Sequence, residues 1–488
     1  MEPRTGNNAN KSLFMATLRD LAIVGGVVFA ASLLGILSRP TGLLAVFWPA
    51  NAILLGLFVR MPHLATGRGW LVAALGYLAA DLVTGSSTLN SLWLAAANLT
   101  GVAVGSFLYQ RIDPEHRTLS RPLSVLYMLA ICAASAAAGS VIGSEVGPAF
   151  MEQGRLIGAA FWFTTELAHS IIVLPLILIM PPLSRLLGCL HAGWRLRRDS
   201  VQRMAPFLAL VASILIGIVL GGPGALAFPI PALLWCALTY GLFTTVLLTL
   251  ATTIFKLITV TVTTGVAQHP LPEEFILSVL SLRLGIVFVA LSPLTVASIN
   301  QVRKHMLQRL DYAANHDSLT GALVRRAFMA QSAWLMTQFD RYPRGLAVLM
   351  VDIDHFKRIN DEYGHSVGDD ALSGFSHAVI QRLREGDLFG RLGGEEFGVV
   401  MPNLTAEEAS KAAERLREQV SQVEVVCADG TPLRMTISIG LAMHYPGDSH
   451  TLSDLLAEAD QALYRAKADG RDRVSLAWLL ENQPGFSG

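Results

Sequence analysis

The stretch RLGGEEFGVV, residues 391–400, decides the fold. Apolar, strand-like runs at Leu388–Leu392 and Phe397–Met401 flank Gly393 and Gly394. That pattern predicts a tight hairpin, because glycine tolerates the positive φ that such turns need. Glu395 and Glu396 then sit together at the bend, where two carboxylates repel each other unless a cation lies between them. Upstream, the short apolar run Leu346–Val351 ends at Asp352, which can bring a further carboxylate to the same edge. Carboxylates converging from neighbouring strands are suited to Mg²⁺ on a nucleotide phosphate. Two such ions can stabilise both the attacking and the leaving oxygen of an in-line displacement.

Working outward, residues 317–480 alternate helical and strand patterns. Ala322–Asp340 and Asp369–Arg384 read as helices, the second with Leu372, Phe375, Val379 and Leu383 on one face. Thr405–Ser421 reads as a helix opened by a capping box of Thr405 and Glu408. Leu433–Met443 alternates as one strand and Leu452–Lys467 closes as a helix. The expectation is an α/β sandwich of one core.

The first three hundred residues are different. Of the 488 residues, 52% are hydrophobic and only 15% charged, against about a quarter in an ordinary soluble chain. The deficit of charge lies before residue 300. A helix needs about 20 apolar residues to cross a bilayer, and ten candidate spans follow: 18–38, 43–60, 69–86, 90–110, 123–144, 156–180, 206–221, 226–241, 243–265 and 276–299. The eighth and ninth are divided at Tyr240-Gly241. The run Leu21–Leu37 reads as a first membrane helix and not as a cleaved signal. With the N-terminus inside, inner segments hold Arg4, Lys11, Arg60, Arg68, Arg111, Arg117, Arg121, Arg185, Arg195, Arg197, Arg198, Arg203, Arg303 and Lys304, while outer loops hold Arg39 and Arg155. That is the bias cytoplasmic loops show.

Asp81, Glu166, His169, Lys256 and Arg283 fall inside these spans, where charge is costly. They pair helices or line a site; Glu166 and His169, three apart on one helix, are the candidate membrane sensor site. Cys132, Cys189, Cys236 and Cys427 lack metal spacing and read as core residues, not disulfides. The formal net charge of zero offers no bulk attraction to nucleic acid, which is not expected as a partner.

Ile299, Val302, Met306, Leu310 and Ala313 recur at helical spacing, continuing the last span without a break. This narrow seam suits a parallel two-helix contact or packing on its own domain; the repeat is too short to decide. The predicted division is therefore 1–300 membrane sensor, 301–316 signalling helix, 317–480 catalytic domain and 481–488 tail.

Three further stretches accompany the hairpin: DSLTGALVRRAF (317–328), DIDHFKRINDEYGHSVGDDAL (352–372) and YRAKADGRDRV (464–474). Together they resemble the diguanylate cyclase, or GGDEF-domain, family, whose fold is similar to the palm of adenylate cyclases and polymerases. The resemblance implies a palm-like, antiparallel-containing sheet flanked by helices. It implies condensation of two GTP into cyclic di-GMP and two pyrophosphates by a homodimer, one GTP per domain. Asp352, the carbonyl of Ile353 and Glu395 would bind Mg²⁺, two ions per site with Mn²⁺ as a substitute. Glu395 would also act as base for the ribose 3′-hydroxyl, with Glu396 beside it. Asn360 and Asp369 would bind guanine, Phe356 and Lys357 the phosphates through their backbone, and Lys467 and Arg471 the triphosphate charge. Asn360 as a turn former and Arg471 as a helix C-terminal charge stay open.

Arg384-Glu385-Gly386-Asp387 is similar to the family's RxxD product-inhibition site. Val324 departs from the family pattern, which places Asn there, so a local packing or capping difference is expected. FWPANAILLGLFVR (47–60) and FWFTTELAHSIIVLPLIL (161–178) resemble the MASE membrane sensor domain, first type, although His169 stands where glycine is common. A multi-pass protein of the bacterial cytoplasmic membrane follows, with N-terminus and catalytic domain in the cytoplasm and the lipid bilayer as a partner. The rival reading is a receptor that binds cyclic di-GMP without catalysis; a transporter has little support, since no broken-helix repeat is evident.

Overall fold

The computed structural model describes residues 5–38, 45–182, 184, 199–263, 273–338, 344–427 and 430–477. Arg4, Arg39, Arg185, Cys189, Arg195, Arg197, Arg198 and the expected tail at 481–488 lie outside them. The chain divides into two compact units, Met1–His305 and Met306–Gly488.

The first unit is helical: α1 (Thr5–Leu37), α2 (Ala50–Arg60), α3 (Gly67–Val83), α4 (Thr88–Arg111), α5 (Ser124–Gly143), α6 (Arg155–Ile179), α7 (Asp199–Leu220), α8 (Pro229–Thr239), α9 (Leu242–Thr263) and α10 (Glu273–Asn315). Capping side chains set two of the starts, Thr66 Oγ1 accepting from the Gly69 amide and Ser87 Oγ from that of Asn90, both at 3.3 Å. α1 packs on α3 where Gly25 and Gly76 face each other: a Cβ on Gly76 would stand 3.0 Å from the Gly25 carbonyl oxygen. Small residues at such contacts let helix backbones approach.

Each expected span has a helix, and the division at Tyr240-Gly241 separates α8 from α9. The count of about ten crossings is nevertheless corrected. Six helices of the described residues are long and apolar enough to cross a membrane: Thr17–Leu37, Thr88–Arg111, Ser124–Gly143, Arg155–Ile179, Leu242–Thr259 and Glu274–Asn315. Ala50–Arg60 has 11 residues, a rise of about 16 Å against a hydrocarbon core of about 30 Å. The apolar window at 43–60 takes in residues 45–49, which are not helical. Hydropathy alone does not see where a helix starts.

The second unit is an α/β domain. Its sheet has the order β1-β3-β4-β2-β7-β8, from β1 (Leu323–Val324), β2 (Gly345–Ile353), β3 (Leu388–Arg391), β4 (Glu396–Leu404), β7 (Ile437–His444) and β8 (Val474–Leu476). β5 (Glu424–Val426) and β6 (Pro432–Arg434) form a separate ribbon. The central β2 is antiparallel to β4 and β7, while β1–β3 and β7–β8 are parallel, so the sheet is mixed. Every residue of β2 is buried, as its unbroken apolar run requires of a strand covered on both faces.

Ala347, Leu349, Val351 and Ile353 point to one core, with α12 (Phe356–Tyr363), α13 (His365–Ile380) and α14 (Ala406–Ser421). Leu346, Val348 and Met350 point to the other, with α11 (Arg325–Thr337) and α15 (Leu452–Ala468). The capping box at Thr405 and Glu408 forms as predicted. The expected strand Leu433–Met443 is broken into β6 and β7, and Ala322–Asp340 is part strand before its helix. Val324 stands at the N-cap of α11 with no side-chain cap, the local difference expected there. Cys132, Cys236 and Cys427 are buried free thiols.

Candidate active site

β3 and β4 form the predicted hairpin, with Gly390 opposite Gly398 and Arg391 opposite Phe397. The expected reason for its glycines is corrected, since neither Gly393 nor Gly394 has a positive φ. Gly393 instead makes room, because a Cβ there would lie 2.9 Å from a Glu396 carboxylate oxygen. Gly390 and Gly398 do the same for Phe328, whose fully buried ring would meet a Cβ of either at 2.6 Å. The ring of Phe328 is thus a wedge under the hairpin.

The bend is held by Arg391, which donates from Nε and Nη2 to the Gly394 carbonyl at 3.1 and 2.8 Å and from Nη1 to Asp317 Oδ1 at 3.1 Å. Asp317 also accepts from the Thr320 amide (3.0 Å) and hydroxyl (2.7 Å). Partial burial raises its pKa, but these bonds and the guanidinium outweigh that and hold it below the usual carboxylate range.

The register of β2 with β4 puts Asp352 opposite Glu396, and the Ile353 amide donates to the Glu395 carbonyl at 3.4 Å. Asp352 is buried, and Lys467 Nζ from α15 lies 2.8 Å from its Oδ2. Burial pushes the Asp352 carboxyl up and the ammonium pulls it down, while Glu395 and Glu396 nearby push it up again; the net direction is up. Carboxylates that crowd one spot with a single ammonium against them are short of positive charge. Their hard oxygens fit Mg²⁺, although among the described residues no three His, Cys, Asp or Glu side chains are already gathered at ligand distance.

The other expected ligands lie on the segments that follow β2 and α15. His355, left-handed at φ +55°, turns the chain from β2 into α12. Phe356 and Lys357 therefore open a helix, where amide N–H groups lack intrahelical acceptors. Asn360 lies on α12 and Asp369 on α13, joined through Gly368, since a Cβ on Gly368 would stand 1.9 Å from Asn360 Oδ1. Arg471 follows α15 in a loop of left-handed residues, with φ of +114° at Gly470, +63° at Arg471 and +46° at Asp472.

That loop depends on a residue the sequence reading passed over. Asp354 is buried and accepts from Thr436 Oγ1 (2.8 Å), Ser438 Oγ (2.7 Å) and the Asp472 amide (3.1 Å). Asp472 is also paired with Arg417 at 2.6 Å. The available signal was the alternation in DIDHF, which sends Asp354 to the same side as Asp352.

Arg384 and Asp387 precede β3, at the end of the β3–β4 ladder away from the bend. Arg384 Nε donates to Asp387 Oδ1 at 3.2 Å and Nη2 to the Pro402 carbonyl at 2.7 Å. In the first unit, Glu166 and His169 share α6 but have separate partners: Glu166 accepts from Asn51 at 2.8 Å, and His169 Nε2 lies 3.1 Å from the Val46 carbonyl.

Comparison with known proteins shows what the chain is similar to. Residues 314–473 match the family described as diguanylate cyclase, GGDEF domain. Across both units, the chain is 31% identical over 447 residues to the "Probable diguanylate cyclase DgcF" of Escherichia coli O157:H7, covering 88% of this chain and 89% of that protein. It is 33% identical over 328 residues to the protein of the same name in Escherichia coli strain K12, covering 65% of this chain and 96% of that one. Among solved structures, the GGDEF domain of DgcB from Caulobacter crescentus in complex with c-di-GMP is 30% identical, covering 34% of this chain and 93% of that one, with a TM-score of 0.32.

Proposed function

The chain belongs to the GGDEF diguanylate cyclase family and is a diguanylate cyclase, and on that premise we propose how its own residues do the work. The carrying observation is the buried Asp352, paired with Lys467 Nζ at 2.8 Å and set opposite Glu396 by the register of β2 with β4. Asp352, Glu395 and the Ile353 carbonyl would hold Mg²⁺, which would supply Lewis-acid stabilisation of phosphate charge. Lys467 exchanges Asp352 for a phosphate oxygen when GTP binds, which frees the carboxylate. Arg471 joins it on the triphosphate, where positioned cations matter most as negative charge develops. The open amides of Phe356 and Lys357 take further phosphate oxygens, and Asn360 with Asp369 reads the guanine edge. Glu395 takes the proton of the 3′-hydroxyl.

Each domain holds one GTP, so a homodimer is required. Met306, Leu307 and Leu310 of α10 are more than half exposed within one chain, which supports a second copy covering that seam. The apolar unit, read as a MASE-type sensor in the bacterial inner membrane, passes its signal along α10. Product bound at Arg384 and Asp387 restrains turnover.

Full-length protein in detergent is expected to convert GTP to cyclic di-GMP, identified by mass. Chelation should stop the reaction and Mg²⁺ restore it. Glu395→Gln should lower the rate about a hundredfold or more while the protein stays folded. Normal product from that variant would remove Glu395 from the proposed site.

A further inference from the structure

Between α15 and β8 the chain passes through three successive left-handed residues, Gly470, Arg471 and Asp472, with φ of +114°, +63° and +46°. Two of the three carry side chains, for which this region is costly. Such a turn persists only where its surroundings over-determine it. Main-chain bonds hold its two ends. The Arg471 amide donates to the Ala466 carbonyl and the Ile439 amide to the Arg473 carbonyl, both at 2.9 Å. The Asp472 amide donates to Asp354 Oδ2 at 3.1 Å.

A further tie comes from α14. Arg417 donates from Nη1 to Asp472 Oδ1 at 2.6 Å. Its Nε donates to Glu414 Oε1 at 2.8 Å, and its Nη2 lies 2.6 Å from the same oxygen. Glu414, three residues earlier on α14, thus closes one edge of the guanidinium and leaves another for Asp472. A planar fork held on two edges has a fixed direction, which an ammonium would lack. The Arg417 side chain is 18% exposed and that of Asp472 43%, so solvent screens part of their attraction.

Arg471 is the residue these ties surround. Its own guanidinium makes no hydrogen bond or ion pair among the described residues, where only its backbone is bonded. The backbone beneath it therefore sets where it points. Relaxation of Arg471 and Asp472 to the common negative-φ regions would redirect that side chain, and Asp472 could not relax without giving up Arg417 and Asp354 together.

We propose that Arg417 is a positioning residue for GTP: through Asp472 it keeps the turn at 470–472 left-handed and so holds Arg471 ready for the triphosphate. The inference rests on the reading of Arg471 as a triphosphate ligand. Arg417 acts only through that turn, so its loss weakens the hold on GTP and leaves proton removal at Glu395 running. A merely structural Arg417 would change stability and the yield of active protein, and would leave KM alone.

The test measures KM and kcat for GTP with full-length protein in detergent, for Arg471→Ala, Arg417→Ala and the two changes combined. Arg471→Ala should raise KM about thirtyfold, the usual effect of losing a charged hydrogen-bond partner. Arg417→Ala should raise KM about threefold to tenfold, a smaller effect because the pair is partly exposed, with kcat within about twofold. Beside Arg471→Ala the same change should add less than about twofold, because a residue that acts through another has no effect once that other is gone. Asp472→Ala breaks the same pair from its exposed side. It should repeat both results, and it decides the matter if Arg417→Ala fails to fold.

An unchanged KM in the folded variants of the pair, beside a raised KM in Arg471→Ala, overturns the inference and leaves the triphosphate reading standing. Effects that multiply in full in the combined variant also overturn it, since Arg417 then acts by a route other than Arg471. A fall in kcat with KM unchanged overturns it as well. An unchanged KM in Arg471→Ala sinks the triphosphate reading itself, and the positioning role falls with it.

Discussion

Two buried polar side chains, Asn51 of the apolar unit and Asp352 of the catalytic unit, are held in opposite ways. In the apolar unit, Asn51 has each of its donors and acceptors matched to a partner on a different helix or the approach to one. In the catalytic unit, Asp352 has one ammonium and two neighbouring carboxylates, and its pKa is raised. A matched network fixes where helices sit. A short-changed carboxylate at a strand end is poised to exchange partners, which is what a phosphate site needs.

The largest expected effect comes from breaking the matched network. Asn51→Leu leaves Tyr77, Asn98 and Glu166 with buried groups lacking a partner, each costing about 1–3 kcal/mol. A loss of about 5 kcal/mol is expected, read as a collapse of thermal resistance in detergent. A thermal midpoint within a degree or two of the parent would show that the network is ornamental.

Phe328→Ala, in the catalytic unit, should cost about 4 kcal/mol by leaving a void beneath Gly390 and Gly398. The hairpin backbone should then exchange amide hydrogens faster while α10 does not. Equal acceleration in both would mean that the wedge supports the whole chain and not the bend.

Asp354→Asn is predicted to cost about 2 kcal/mol, since a buried acceptor of three hydrogen bonds loses its charge. Its sharper signature is kinetic. A loosened Arg471 loop should raise KM for GTP more than it lowers kcat, whereas loss of the base at Glu395 should do the reverse. An unchanged KM would separate Asp354 from the substrate loop.

These residues mark how far the sequence could be read. The catalytic unit was legible because its elements are short and its signals local: an apolar run for β2, Thr405 and Glu408 for a cap, the hairpin at 392–395. Its motifs also singled out Asp352, Glu395, Lys467 and Arg471; the fold sets Lys467 against Asp352 and puts Arg471 in the loop after α15. Asp354 was not legible as a clasp, since its partners Thr436, Ser438 and Asp472 come from two other segments. The role of Gly393 was misread for a similar reason, because space beside Glu396 is a property of packing and not of φ. In the apolar unit, uniform hydropathy showed where helices lie and hid where they begin, so the number long enough to cross a membrane was overcounted. The Asn51 network joins residues 26, 47 and 115 positions apart. No local pattern encodes such a contact.

The smallest predicted effect tests whether a polar clasp at the edge of the catalytic unit behaves as the buried ones do. Asp317 accepts from Thr320 and from Arg391, the residue that holds the Gly394 bend. Its pair with Arg391 is about a fifth to a quarter exposed on each side (20% and 24%), so solvent screens part of the attraction. Asp317→Asn should therefore cost only about 1 kcal/mol at neutral pH. The folded carboxyl is held below its ordinary value, so the unfolded chain takes up a proton first as the solution is acidified. Stability from Asp317 is thus fully present above the ordinary carboxylate pKa of about 3.9. It is lost as the pH falls from there through the lower folded value. The gap in thermal midpoint between parent and Asp317→Asn should be constant from pH 7 to about 5 and close below about 4. If the gap instead widens on acidification, Asp317 is protonated in the folded chain, and Arg391 holds the bend without it.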